Sequence, residues 1–426
     1  MNENIKWCSI QPLTGGFYCS GESAVGHPAE FILSYPGLDT VTRDRDGNVK
    51  EALNECNLTT YLKNHDRMPP YYLFDGMKVF DNKEDLSTVK IVDRYTNEEV
   101  TPNYSDIDLA IAVPICSGLS TSTITNNEGR VKRNQNMLFL ARYALNAIKP
   151  KVYIFENAPT LMGNSGKWVR EALQKIANDA GYRVAYYRTD TKLHHNCQRR
   201  PRTFVYFFKG EKVPSIEFEN APLTVDEFLS KIPSDATQKV NLKDTLWQDV
   251  PIKYLKHLHG DSWRDKVGDG DIFSDVTKTE DSINKFVEWL NSNDFDNRTV
   301  TKFTNYMKHI IAKRKDNKGF WICTPTLYRD HIPACMHKNI MNTLHYKEDR
   351  LYTCREWLSL MGMPYDFELQ GDYEHNCKKI GQNVPVFTGE FIVKQAVKFL
   401  NNELELLDCN SYVYFDNVKQ EIADVL

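Results

Sequence analysis

Short apolar runs alternate with longer amphipathic stretches through the first half of the chain. "DLAIAVP", residues 108–114, reads as a buried strand that stops at Pro114. "QNMLFLARYALNAIK", 135–149, carries apolar residues at helical spacing. "KVYIFENAP", 151–159, predicts the next strand, ending at Glu156-Asn157. "SGKWVREALQKIANDAGY", 165–182, predicts a second helix with Gly181 as its stop. "RVAYYRTD" and "TFVYFF" predict further strands. The alternation predicts an α/β fold with a doubly wound, Rossmann-like, mostly parallel sheet. Ligands of such sheets sit beyond the carboxyl ends of the strands. Cys116 and Glu156 are expected just past two consecutive ends of that kind.

From about residue 209 the pattern becomes polar and loop-rich. "SINKFVEWLNS" and "TVTKFTNYMKHIIAKRK" predict two helices, the second closing on Lys313, Arg314 and Lys315, with Lys318 following. After about 345, "CREWLSLMG" and "GEFIVKQAVKFLNNEL" predict helices again. The chain's 426 residues accommodate two or three domains, or one large domain with an insertion. A net charge of -4 gives no global basic signature, yet leaves room for a basic surface confined to one cleft. The ten cysteines are scattered without a CxxC pair, and no apolar run reaches membrane-spanning length. "MNENIKWCSI" lacks the apolar core of a signal peptide. Reduced thiols, a cytoplasmic location and no membrane association are expected.

Three clusters carry chemistry, each with two open readings. Cys116 is either a buried small hydrophobe or a nucleophile at a strand end. Glu156 is either a solvated strand-end carboxylate or a group withdrawn from water that binds a ring nitrogen. Gln198, Arg199, Arg200 and Arg202 crowd the entry to an aromatic strand. Arg200 and Arg202 lie two apart, so on an extended chain they share a side. They either converge on one ligand or form a solvated basic edge.

Taken in order, these clusters resemble the DNA cytosine-5 methyltransferases. The family's Pro-Pro-Cys-Gln-x-x-Ser corresponds to "PICSGLS", its Glu-Asn-Val to "ENA", and its Gln-x-Arg-x-Arg to "QRRPR". "DRLYTCREWLSLMGMPYDFEL" and "IGQNVPVFTGEFIVKQAVKFL" resemble two late motifs, the second ending the family pattern with Gly-Asn-x-Val-Pro. The resemblance spans about 10–208 and 345–400.

The resemblance implies a methyltransferase-type sheet over 1–208, an inserted α+β target-recognition domain over 209–345, and a return segment over 346–426 that completes the catalytic domain. It implies transfer of a methyl group to carbon 5 of a flipped-out cytosine in double-stranded DNA, by a monomer. Cys116 would add to carbon 6, Glu156 would bond nitrogen 3 and the exocyclic amine, and Arg202 with Arg200 would hold the carbonyl oxygen. Pro114, Ser120, Asn157, Gln198, Lys313 and Arg314 are the implied DNA and substrate contacts, with Thr121 and Ser122 beside Ser120. S-adenosylmethionine is the implied donor, placed against Gly15, Gly16, Phe17, Asp75, Asn383 and Val384.

Several positions depart from the family pattern. Leu13 replaces the first glycine of Phe-x-Gly-x-Gly-Gly, and "EFILSYPGLD" lacks an acidic residue at its strand end, Asp39 coming late. Ile115, Ser117 and Ala158 alter the target pocket, and Asn383 is displaced by one. Three readings stand: a divergent S-adenosylmethionine enzyme, the same covalent step with another one-carbon donor or a modified base such as hydroxymethylcytosine, or a DNA-binding relative without turnover. Retention of Cys116, Glu156 and Arg202 argues against the last. Cys323, His331, Cys335 and His337 fit no standard zinc spacing, and no metal is expected.

Overall fold

The computed structural model describes residues 5–36, 41–43, 49–52, 57–119, 127–230, 246–315, 325–333, 342–409 and 412–423. The chain divides into two units, one of residues 1–223 with 358–426 and one of 224–357.

The first unit is built on a ten-stranded sheet. Its strands are β1 (Trp7–Ile10), β2 (Phe31–Ser34), β3 (Tyr71–Phe74), β4 (Ile91–Asp93), β5 (Leu109–Ala112), β6 (Val152–Asn157), β7 (Tyr182–Asp190), β8 (Pro201–Lys209), β9 (Tyr412–Asp416) and β10 (Glu421–Ala423). They are ordered β10-β9-β7-β8-β6-β5-β1-β2-β3-β4. From β3 through β2, β1 and β5 to β6 every pairing is parallel. These strands are short and almost wholly buried, as expected where helices cover both faces.

"TFVYFF" departs from the parallel expectation. β8 runs antiparallel to both its neighbours, β6 and β7. The connection from β7 to β8, residues 191–200, holds only a short 3-10 turn and a two-residue strand. That is too little chain for the crossover a parallel neighbour requires. The outermost strands β4 and β10 are also antiparallel to the strands they flank.

Helix α1 (Gly16–Val25) follows β1, and α2 (Asn57–Asn64) precedes β3. α3 (Asn127–Tyr143) runs into a π-turn at Ala144–Ile148, which Lys149 ends in the left-handed region. α4 (Lys167–Ala180) stops at Gly181 (φ 79°), whose N–H caps the carbonyl of Ala177. Packed against one sheet face, α3 and α4 bury Met137, Phe139, Leu140, Val169 and Leu173 with Phe155, Val205 and Phe207. The chain steps outward from β1 to β2 and β3, then returns to β5 on the other side of β1. The strand order therefore reverses between β1 and β5, and a crevice opens there at the strands' carboxyl ends.

The second unit contains α5 (Leu246–His259), α6 (Glu280–Ser292) and α7 (Asn297–Lys315). Their apolar faces enclose Val250, Tyr254, Phe273, Phe286, Leu290, Phe303, Met307 and Ile310. A capping box at Thr279 and Ser282 starts α6. Lys308 and His309 stand on the exposed face of α7.

In the return segment of the first unit, α8 (Tyr373–Gly381) leads to α9 (Val386–Leu400). α9 packs against α1, with Gly389 close enough to Ser20 that a Cβ there would meet its Oγ at 2.3 Å. Among the described residues no helix is long and apolar enough to cross a membrane.

Candidate active site

Beyond β5 the chain leaves the sheet at Val113-Pro114 and enters a tight segment, 115–119, that carries Cys116. Three contacts hold this segment. The backbone N–H of Ile115 donates to Asn136 Oδ1 on α3 (2.8 Å). Leu119 N–H closes on the carbonyl of Cys116 (3.0 Å). Thr160 Oγ1 donates to the carbonyl of Leu119. Gly118 lies so near α3 that a Cβ there would stand 2.1 Å from Asn134 Oδ1. Pro114 is buried, whereas Cys116 is partly exposed.

Glu156 lies within β6 itself, one residue before the strand's end, and is almost fully buried. Phe204 of β8 sits directly opposite it. Arg202, two residues before Phe204, therefore shares that face. Its Nε meets Glu156 Oε1 at 2.5 Å. The antiparallel course of β8 matters here, since it brings the start of β8 to the carboxyl end of β6. Burial pushes the Cys116 thiol above its ordinary value, and the Glu156 carboxylate adds to that. Arg202 and Arg200 oppose both. A cysteine, a carboxylate and two guanidinium groups thus form one electrostatic cluster.

Arg200 is held differently from Arg202. Its guanidinium donates to the carbonyls of Gly381 (3.2 Å) and Asn383 (2.8 Å), and its backbone N–H donates to Asp190 Oδ1 (2.8 Å). It ties the entry of β8 to the 381–383 segment. Gln198 Nε2 reaches the carbonyl of Leu360 (3.3 Å), where Asn196 also donates (2.9 Å). Buried His194 braces the same loop between Thr189 Oγ1 (2.7 Å) and Glu219.

The turn after β1 forms the second half of the crevice. Gln11 (φ 51°), Leu13 (φ 53°) and Gly15 (φ 105°) all occupy the left-handed region. Leu13 therefore holds a backbone conformation that glycine adopts freely, at a local cost of about 1–2 kcal/mol. Gly16 opens α1, and its N–H donates to Asn383 Oδ1 (2.9 Å). A Cβ on Gly16 would lie 2.2 Å from the carbonyl oxygen of Val384. Phe17 is turned into the core against Phe204 (5.9 Å between ring centroids). Asp75 stands exposed just past β3, its N–H bonded to the carbonyl of Lys90 (2.9 Å). β2 ends at Ser34, whose buried Oγ has no partner among the described residues; nor do the buried amide nitrogens of Gln11 and Asn383. A strand–turn–helix unit with unsatisfied buried polar atoms fits an adenosine-type donor.

Asn157 is buried beside Glu156, its Oδ1 accepting from Ala158 N (2.8 Å) and its Nδ2 without a partner. Ser120, Thr121, Ser122, Asp39, Cys323, Cys335 and His337, with the side chains of Lys313 and Arg314, lie outside the described residues. Sequence reasoning missed Asn136 and Gln11. The only signal for the former was an asparagine inside the otherwise apolar start of "NMLFLA".

Residues 77–398 match the C-5 cytosine-specific DNA methylase family. The chain belongs to that family. It is 22% identical over 355 residues to the Type II methyltransferase M.Bpa9945I of Bacillus paralicheniformis, covering 74% of this chain and 76% of the relative. A solved prophage-encoded protein from E. coli, described as a DNA modification methyltransferase, is similar in fold at 18% identity. Its TM-score is 0.52, over 93% of this chain and 99% of that one. The Entamoeba histolytica methyltransferase EhMeth follows at 11% identity and a TM-score of 0.50, with the same coverage. This family member is a DNA cytosine methyltransferase-like transferase with the methyltransferase sheet.

Proposed function

We propose that this methylase transfers a methyl group to carbon 5 of a flipped-out cytosine in double-stranded DNA through a covalent Cys116 adduct. The observation that carries the reading is the buried Glu156–Arg202 ion pair (2.5 Å) acting electrostatically on Cys116 at the carboxyl edge of the sheet. The Cys116 thiolate adds to carbon 6 of the ring, and the ring's electrons make carbon 5 nucleophilic. Glu156 in its protonated form donates to nitrogen 3 as the thiolate adds and accepts from the exocyclic amine, while Arg202 holds its other oxygen and faces the carbonyl oxygen. S-adenosylmethionine, when bound, supplies the electrophilic methyl group. Gly15, Gly16, Asn383 and the end of β2 are the residues that would hold it, with Val384 fixing the turn. A base then takes the carbon 5 proton, Cys116 leaves as the thiolate, and nitrogen 3 returns its proton to Glu156, which restores the aromatic ring. Residues 209–345, including the basic end of α7 at Lys313 and Arg314, are proposed to read the DNA, with Ser120 and its neighbours contacting phosphate. The protein acts as a monomer in the cytoplasm.

The test uses duplex DNA containing 5-fluorocytosine. The fluorine cannot leave, so methylation at carbon 5 arrests the covalent complex. A DNA–protein species seen with wild type and absent from Cys116→Ala supports the reading. Its absence from wild type, or its persistence in Cys116→Ala, overturns it. A second reading, the same covalent step with a different one-carbon donor, is favoured by the strand end at Ser34-Tyr35, where the described residues offer no carboxylate for a ribose. Mass spectrometry of nucleosides from expressing cells separates the two by the group added to cytosine.

A further inference from the structure

Gln11 belongs to the turn after β1 and Cys116 to the segment after β5, on either side of the point where the strand order reverses. One buried side chain on α3 joins them. Asn136 Oδ1 accepts the backbone N–H of Ile115 (2.8 Å), and Asn136 Nδ2 donates to Gln11 Oε1 (3.1 Å). Both side chains are fully buried. Gln11 is fixed in turn by its own N–H, which donates to the carbonyl of Leu33 (2.7 Å) at the end of β2. Its Nε2 is buried without a partner among the described residues, as is Ser34 Oγ on the neighbouring strand. The β1–β2 register continues from Ile10 opposite Leu33, which sets Gln11 beside Ser34.

We propose that Asn136 is a positioning residue that couples occupancy of the donor turn to the placement of Cys116. The inference rests on the donor reading above. The Asn136–Gln11 link is a single hydrogen bond between two fully buried side chains. A displaced Gln11 therefore cannot exchange its partner for solvent, and Asn136 either follows it or turns to the neighbouring Tyr35 phenol. Gln11 Nε2 is the atom on the turn left open to a ligand acceptor. Drawing it toward a donor moves Oε1, and the amide of Asn136 carries the displacement to the backbone of Ile115, one residue before the nucleophile. Such coupling is reciprocal: a fixed Cys116 segment favours the donor-bound turn by the same factor.

The experiment measures alkylation of Cys116 by iodoacetamide, read by peptide mass spectrometry, with and without saturating S-adenosylhomocysteine. Binding of the latter is followed separately by calorimetry. Wild type is expected to change its alkylation rate about fivefold or more on binding. Gln11→Met removes the acceptor for Asn136 and is expected to abolish the change under saturation. Gln11→Glu keeps the acceptor for Asn136 but replaces Nε2 by an oxygen, so the hold on Asn136 survives while the pull of a donor is lost, and this variant too is expected to show no change on binding. Asn136→Leu is expected to behave like Gln11→Met, and the Gln11 pair decides the matter should that core variant fail to fold. A methionine variant that responds like wild type overturns the proposal. So does a wild-type chain that binds S-adenosylhomocysteine with no change at Cys116, which leaves the donor reading standing. No calorimetric binding to wild type overturns the donor reading and the coupling together.

Discussion

Cys116 lies between opposed charges, and this gives its reactivity a sign that can be checked. Burial and Glu156 hold the thiol protonated above its ordinary range, while Arg202 and Arg200 favour the thiolate. The thiolate is the reactive form, so alkylation of wild type rises with pH through that elevated value. Glu156→Gln removes a raising influence and is expected to move the profile to lower pH. Arg202→Met removes a lowering one and is expected to move it higher. The two variants shifting in the same direction would contradict the cluster as described. They should also differ in stability. Arg202→Met strands a carboxylate that is almost fully buried, and breaking a buried pair from one side costs about 3–5 kcal/mol. Glu156→Gln leaves a neutral acceptor beside Arg202 and should cost less. Urea unfolding of both proteins measures the difference.

At the scale of elements, the crevice depends on how closely α1 approaches the return segment. Gly16 N–H is taken by Asn383, and a Cβ at Gly16 would overlap the carbonyl of Val384, a backbone atom that cannot rotate away. Gly16→Ala is therefore expected to cost about 1–3 kcal/mol and to weaken donor binding, read by thermal unfolding and by calorimetry with S-adenosylhomocysteine. An unchanged melting temperature would show that the segment is not fixed there. Much of this arrangement was legible in the sequence, because apolar periodicity marks buried strands and amphipathic helices directly. β5, β6 and α4 fall where "DLAIAVP", "KVYIFENAP" and the Gly181 stop place them. The direction of β8 was not legible, since a strand's alternation is the same whether it runs up or down. Nor was the conformation of Leu13, because a missing glycine suggests a lost turn and the backbone instead keeps the turn at a local cost. The divergent roles of Arg200 and Arg202 follow from partners at 381–383 that lie far along the chain, which spacing alone does not reveal.

For the whole molecule, the decisive feature is where the second unit leaves the first. Leu223 N–H donates to the carbonyl of Asn196 (3.1 Å), and Asn196 Nδ2 donates to the carbonyl of Leu360 (2.9 Å). One fully buried asparagine therefore holds the chain just before the excursion and just after it. Loop-closure entropy grows only slowly with length, so a 134-residue excursion, 224–357, between such neighbours places little demand on the sheet. Replacing 224–357 by a short glycine-serine linker is expected to leave the first unit folded and able to bind S-adenosylhomocysteine. Every strand of the ten-stranded sheet, the turn after β1 and the Cys116–Glu156–Arg202 cluster lie outside the excised stretch. If residues 209–345 supply the DNA contacts as proposed, the same protein loses affinity for duplex DNA, and the salt dependence of its residual binding becomes shallower with each phosphate contact removed. Fluorescence anisotropy across a salt series measures both quantities. An excised chain that binds DNA with the wild-type slope would move recognition onto the first unit, whereas one that no longer binds S-adenosylhomocysteine would mean that the closure at Asn196 cannot hold the sheet alone.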